Sequence, residues 1–159
     1  MSTSFDFVSK SDKPALIAFS TPEWLDTAKA SLQELGYKVH TAATHSDFLV
    51  RFSATHYQLI LVEERFNANT FEENSTLTAL QAMPIGQRRH ATILLVGESF
   101  QTFTPMEAFK HSVHAVINSS ELFLLNQLVE KAVADNHAFL HTYREVQTRL
   151  SSGGHNKAA

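Results

Sequence analysis

The fold class this chain predicts is α/β, a five-stranded doubly wound parallel sheet with an extended C-terminal helix. Three observations carry it. Several candidate strands are continuous apolar runs without alternation, as strands require when helices cover both faces of a parallel sheet. Strand and helix signals alternate five times across short connections. Parallel neighbours need right-handed crossovers, which place helices on both faces. The expected strand order is 2-1-3-4-5, the commonest for five such strands, although periodicity alone does not fix it.

The central strand is Tyr57 to Glu63, where Leu59, Ile60, Leu61 and Val62 lead to two carboxylates, Glu63 and Glu64. Open α/β sheets place their chemistry at such C-terminal strand ends. Before it, residues 1–13 form a polar lead-in expected to be flexible, and Ala15 to Phe19 is the first strand. Ser20-Thr21-Pro22-Glu23 is a helix start: Ser20 with Glu23 fits a capping box, and Thr21 before Pro22 fits a cap with proline in the first turn. Leu25, Ala28, Leu32 and Leu35 recur at helical spacing, and Gly36 stops the helix. Tyr37 to Thr41 is the second strand, and Ser46 is placed to cap a short helix carrying Phe48, Leu49 and Phe52.

Beyond the central strand, Glu64 to Asn74 is irregular and polar, and a helix is expected from Ser75 to Met83, stopped by Pro84. Ala91 to Val96 is the fourth strand, ended by Gly97. Thr104-Pro105 opens a helix with Met106 and Phe109, and Ala115 to Ile117 is the fifth strand. From Ser120 no Gly or Pro intervenes before Gly153, so one helix is expected from about Glu121 to Leu150, with 151–159 a disordered tail.

Composition narrows function by exclusion. The 159 residues suffice for one domain, taken as 14–134 with 135–150 an extension of the last helix, and 12 Phe help to fill its core. With 13 Lys plus Arg against 16 Asp plus Glu, the net charge of -3 offers no attractive field for nucleic acid or an anionic membrane. The absence of Cys removes disulfides, thiolate nucleophiles and cysteine-based zinc sites. No apolar run approaches the ~20 residues of a membrane span, and no signal pattern opens the chain. A cytoplasmic protein is the expectation.

His56-Tyr57-Gln58-Leu59-Ile60-Leu61-Val62-Glu63 resembles the third strand of response-regulator receiver domains, which share the flavodoxin-like fold. The resemblance covers roughly 14–134. It implies that Glu63 stands where the family has its phosphate-accepting Asp. Ser20 and Thr21 stand for the acidic pair, Gly97 for the Thr or Ser of the fourth strand, and Ser119 and Ser120 for the Lys after the fifth. The phosphotransfer set is thereby lost. Magnesium prefers carboxylate oxygens, and Ser20 and Thr21 are neutral hydroxyls. Without the ion and the lysine, little stabilises an in-line phosphoryl transition state. No catalysis is expected. Glu63 is read either as a permanent charge imitating the phosphorylated state or as a solvated strand-end carboxylate that caps a loop or pairs with Arg65 or Lys110.

Other groupings are weighed against ordinary structural roles. Ser20-Thr21 at a helix start could hold a phosphate or flavin phosphate, but Pro22 removes one amide donor and plain capping is preferred. His137 with His141, and His111 with His114, lie one turn apart yet lack further zinc ligands, so no metal is expected. Arg88-Arg89-His90 reads as a solvated cluster. No cofactor is expected, and no Walker loop, nucleophile elbow or dinucleotide glycine pattern is present. The leading function is a non-catalytic signalling or scaffold module working through an unknown protein partner, independently of aspartyl phosphorylation. The alternative is a small-ligand-binding or flavin-binding protein of flavodoxin-like fold, an enzyme among the options. A transcription regulator is disfavoured by the negative charge and the lack of a helix-turn-helix region.

The C-terminal helix exceeds what the sheet needs. Leu122, Leu125, Val129, Ala132, Asn136, Phe139, Tyr143, Val146 and Leu150 fall at alternating steps of three and four, a continuous heptad seam. The part past Asn136 is expected to project and to pair with the same helix of a second chain, with Phe139, Tyr143, Val146 and Leu150 in the seam and Asn136 fixing its register. The competing expectation is a kink near Asp135-Asn136 that folds the helix back.

Overall fold

The computed structural model describes residues 8–68, 73–84 and 90–158, with side chains as far as Ser152. Arg88 and Arg89 of the basic cluster and the first seven residues lie outside the described residues. Five strands, β1 (Lys13–Ala18), β2 (Tyr37–Thr41), β3 (Leu59–Glu63), β4 (Thr92–Gly97) and β5 (Ala115–Asn118), form one sheet in the order β2-β1-β3-β4-β5. Every pairing is parallel. The expected class and strand order are both present.

The continuous apolar runs are explained by the two cores they serve. Leu16, Ala18, Ile60, Val62, Ile93, Leu95 and Val116 face one side, with α2 (His45–Ala54), α3 (Ser75–Ala82) and α4 (Pro105–Lys110) packed over them through Phe48, Leu77, Leu80 and Ala108. The residues between, Ala15, Ile17, Leu59, Leu61, Leu94, Val96 and Ile117, face the other side. There α1 (Pro22–Glu34) and α5 (Leu125–Ala158) cover them with Ala28, Leu32, Leu125, Val129 and Ala132. Both faces of β3 and β4 are buried, so neither strand has a polar alternate position to give it a period of two.

The local signals differ from expectation at two helix starts. The cap of α2 is Thr44 rather than Ser46: Thr44 accepts the Asp47 amide, while the Asp47 carboxylate reaches back to the Ala43 amide. Asn74 caps α3 through the Leu77 amide. The last helix begins at Leu125, because Ser119–Leu124 form a tighter 3-10 turn under the Asn118 cap. Leu122 is therefore buried outside the helix that the heptad pattern assigns it to.

At its other end α5 runs through 151–158 to Ala158, where the sequence predicts a disordered tail. Gly153 and Gly154 each disfavour helix by ~1 kcal/mol relative to Ala, a cost that does not forbid it. At 1.5 Å per residue, 34 helical residues extend about 51 Å, well beyond a six-residue strand.

The helix is continuous across Asp135 and Asn136, so no fold-back occurs. Asn136 itself corrects the expected seam. It is buried, and its side-chain amide donates to Thr92 Oγ1 at 2.9 Å. That bond pins the helix to the first residue of β4 and takes Asn136 out of any interhelical contact. Leu140 is the last residue buried against the domain. Phe139, Tyr143, Val146 and Leu150 are exposed.

Near the same end of the sheet, the rings of His56 and His90 stack with centroids 3.4 Å apart, and Phe52 stacks on His90 in turn. Burial, and secondarily His56, holds the His90 imidazole below its ordinary value of 6.5. The folded state thus resists a proton that the unfolded chain accepts, so stability falls as pH drops through about 6.5. The fall in melting temperature between pH 7.5 and 5.5 should be smaller for His90→Phe, which keeps the stack and removes the titration. An equal fall in both proteins would contradict this origin.

Candidate functional site

The C-terminal ends of β1, β3 and β4 meet at a cavity of about 120 Å³ lined by Thr21, Trp24, Glu63, Glu64, Arg65, Gly97 and Glu98. Thr21 is the N-cap of α1, yet its hydroxyl makes no capping bond. The capping acceptor comes from β3. Glu63 Oε1 accepts the amides of Ser20 and Thr21 at 3.1 and 3.0 Å. Pro22 follows in the first turn, where its missing N–H leaves no donor unsatisfied. A carboxylate accepting two amides at a helix N-terminus is favoured by charge-assisted bonding and by the helix dipole together.

Glu63 is nearly inaccessible, at 6% exposure, so it is not the solvated strand-end carboxylate one of the expectations describes. Nor, among the described residues, does it pair with Arg65 or Lys110. Its role is the loop-capping one, carried out by reaching across from β3 to β1. Ser20 contributes twice, since its hydroxyl also accepts the Asn67 amide at 2.6 Å. Asn67 has a left-handed backbone, φ 50°, which Asn tolerates better than most residues.

Glu64 closes the other side. Its amide donates to Val96 O at 2.7 Å, continuing the β3–β4 ladder past the strand, and Oε1 accepts the Ser99 amide at 3.3 Å. Its side chain lies flat on Gly97, where a Cβ would run into Glu64 Oε1 and come within 2.5 Å of Glu64 Cβ. Gly97 is thus required by the carboxylate above it. Asn74 secures both residues from below, its side-chain amide donating to the carbonyls of Glu63 and Glu64 at 2.9 and 3.1 Å.

Of the residues expected at this site, Thr21, Glu63 and Gly97 line the cavity, and Ser20 adjoins it through its amide and hydroxyl. Ser119 is not part of the lining. The β5 end is organised by Asn118, whose side chain donates to Phe100 O at 2.6 Å and accepts from Ser120. Sequence reasoning missed Asn74, Asn118 and the contact of Glu64 with Gly97. Only the two asparagines carried a signal, each standing just before a helix start.

Chemically the site offers little to an anion. The amides that would hold a phosphoryl group already serve Glu63, and Glu64 and Glu98 add negative charge with Arg65 the one cation in the lining. No cluster of three or more metal-ligating side chains occurs among the described residues. The histidine pairs serve separately: His111 contacts Glu107, His114 accepts the Ile93 amide, and His141 lies 3.9 Å from Glu145.

Comparison with solved structures follows this geometry. A putative response regulator from Chloroflexus aurantiacus superposes with a TM-score of 0.59 at 13% identity, covering 78% of this chain and 99% of that one. The N-terminal domain of a response regulator/sensory box/GGDEF protein from Carboxydothermus hydrogenoformans gives 0.60 at 18% identity, covering 81% and 100%. The chain has the receiver-domain fold. A fusion carrying the trimeric coiled coil of yeast Spc42 gives 0.63 at 19% identity, over 91% of this chain and 96% of that one. No protein-family model and no curated protein matches the chain. Among the described residues no helix is long and apolar enough to cross a membrane.

Within this receiver fold the Gly97 contact is directly testable. Gly97→Ala should displace the Glu64 side chain and lower stability by roughly 1–3 kcal/mol, the range for overpacking. Combining it with Glu64→Ala should recover part of the loss. Denaturant melts that show no coupling between the two substitutions would contradict the contact.

Proposed function

We propose that this receiver-fold chain is a non-catalytic signalling or scaffold module that acts through protein association and does not depend on aspartyl phosphorylation. The observation that carries the reading is the bonding of Glu63 to the Ser20 and Thr21 amides. The carboxylate where the resemblance expects a phosphate acceptor is already engaged as a structural ligand. It is buried, and its neighbours supply no lysine and no second carboxylate from the β1 loop. The same bond disfavours the flavin-binding alternative, since a phosphate at α1 would have to displace Glu63.

Incubation with acetyl phosphate and magnesium should leave the intact mass unchanged. A stable gain of about 80 Da on Glu63 or Glu64, the mass of an acyl phosphate on a carboxylate nucleophile, would sink the proposal. A yellow preparation with bound flavin would sink it equally. Glu63→Gln keeps the Oε1 that accepts both amides and removes the charge. It should reduce stability by about 1 kcal/mol, the difference between a charged and a neutral acceptor, without changing association.

The association surface we propose is the projecting half of α5. Phe139, Val146 and Leu150 are exposed on one heptad stripe, with Tyr143 between them. Exposed apolar stripes of this kind mark interaction surfaces, and the simplest partner is the same helix of a second chain. Asn136 takes no part. Light scattering should report twice the 17.8 kDa chain mass at micromolar concentration, and Val146→Glu with Leu150→Glu should give a folded monomer. A monodisperse monomer from the unmutated chain would end the proposal.

A further inference from the structure

We infer that α2 is an acid-releasable helix, seated at both ends by imidazoles that serve only while neutral, so that mildly acidic pH detaches it locally while the rest of the domain stays folded. The inference does not depend on the association proposed above.

The helix has ten residues, His45–Ala54, and a segment of that length is not stable as an isolated helix in water. Its order therefore depends on what it touches. Phe48, in its middle, enters the core, whereas Leu49 and Val50 are exposed. The ends of the helix rest on histidine contacts.

At the first residue, His45 Nδ1 accepts the Thr76 amide at 3.1 Å and lies 2.8 Å from Thr76 Oγ1. The contact joins the start of α2 to the first turn of α3, where that amide has no partner within its own helix. A backbone N–H only donates, so Nδ1 keeps its lone pair and the ring is the Nε2–H tautomer. A proton added at Nδ1 removes the bond.

At the other end Phe52 stacks on His90, and His90 stacks on His56 with ring centroids 3.4 Å apart. Two imidazolium rings at that separation repel, so the stack excludes the doubly charged pair. The depressed His90 value described above has the same direction. Both ends of α2 thus require an uncharged ring.

No carboxylate offsets this demand. Around α2, the other charged side chains among the described residues are Asp47 and Arg51 on the helix, 3.8 Å apart, Lys38 of β2, 3.9 Å from Asp12, and Glu73 ahead of α3. None of them forms an ion pair with His45, His56 or His90. His40 of β2, on the same face of the sheet, is bonded to the Tyr57 hydroxyl at 2.7 Å. Elsewhere His114 accepts the Ile93 amide as His45 accepts that of Thr76, but between β4 and β5, whose ladder holds them without it.

The sign follows from linkage. The closed helix resists protons that the open segment accepts at the ordinary histidine value of about 6.5, so opening is favoured as pH falls below it. Each imidazole that the closed helix keeps neutral raises the opening constant by up to about tenfold between pH 7.5 and 5.5. Opening uncovers the part of the core that Phe48 closes.

Hydrogen exchange on the full chain at pH 7.5 and 5.5, corrected for the intrinsic pH dependence of exchange, tests this. Amides of α2 should lose about tenfold in protection beyond any loss in α1, which packs on the other face of the sheet. The excess should shrink in His90→Phe, which keeps the stack, and in His45→Asn, which keeps an acceptor for the Thr76 amide, and should vanish in the double variant. Equal losses in α1 and α2 of the unmutated chain, a comparison that needs no variant, would mark a global response and overturn the inference. An excess that the double variant retains would overturn it as well, because another group then drives the release.

Discussion

The bond from Glu63 to the amides of Ser20 and Thr21 is the constraint on which the upper edge of this molecule depends. A parallel sheet ends in loops that nothing in its own hydrogen-bonding ladder holds together, and at the start of every helix the first amides lack partners. Here one side chain addresses both problems. It leaves the end of the central strand, crosses to the neighbouring strand and satisfies the start of the helix that follows it. The adjacent residue, Glu64, turns to the opposite neighbour and lies on Gly97. Two consecutive carboxylates thus tie β3 to β1 on one side and to β4 on the other, with Asn74 holding the carbonyls of both.

This arrangement connects structure to function by removal. A receiver fold offers open acceptor geometry at the strand edge only if the strand-end carboxylate is accessible and the helix amides are unoccupied. In this chain the acceptor and the donors satisfy each other. The Glu side chain, one methylene longer than Asp, reaches the β1–α1 turn. The features that argue against catalysis and those that stabilise the fold are therefore the same atoms.

The fold was legible because buried strands and amphipathic helices leave periodic traces. Leu59–Val62 and Ile93–Val96 have no polar alternate because alternate residues enter two different cores, and that texture survives without knowledge of what packs there. The site was legible only in outline. Glu63, Thr21 and Gly97 could be placed at one edge from strand order, but the partners of Glu63 are backbone amides, which have no residue type to recognise. The reason for Gly97 was equally hidden, since a glycine at a strand end reads as a stop signal whether or not a side chain lies over it. At the start of α2 the cap is Thr44 and not Ser46, because the Thr-x-x-Asp spacing lets the Thr44 hydroxyl accept the Asp47 amide.

The last helix shows most clearly where a periodic pattern stops being informative. One run of three-and-four spacing extends from Leu122 to Leu150, and the spacing itself gives no reason to divide it; only the length of the helix does. In the structure its first part, through Ala132, packs on the sheet, and its last part, from Phe139, leaves it. Asn136 stands at the division. A buried amide needs a partner, and Thr92 at the start of β4 provides one only if the helix crosses the sheet at that point. The polar residue that looks like a register device for a pair of chains instead sets where the helix departs from its own domain. The hydrophobic seam is continuous in sequence because both environments, a sheet face and an exposed helical stripe, demand the same spacing of apolar side chains. What distinguishes them is the single hydrogen bond between them.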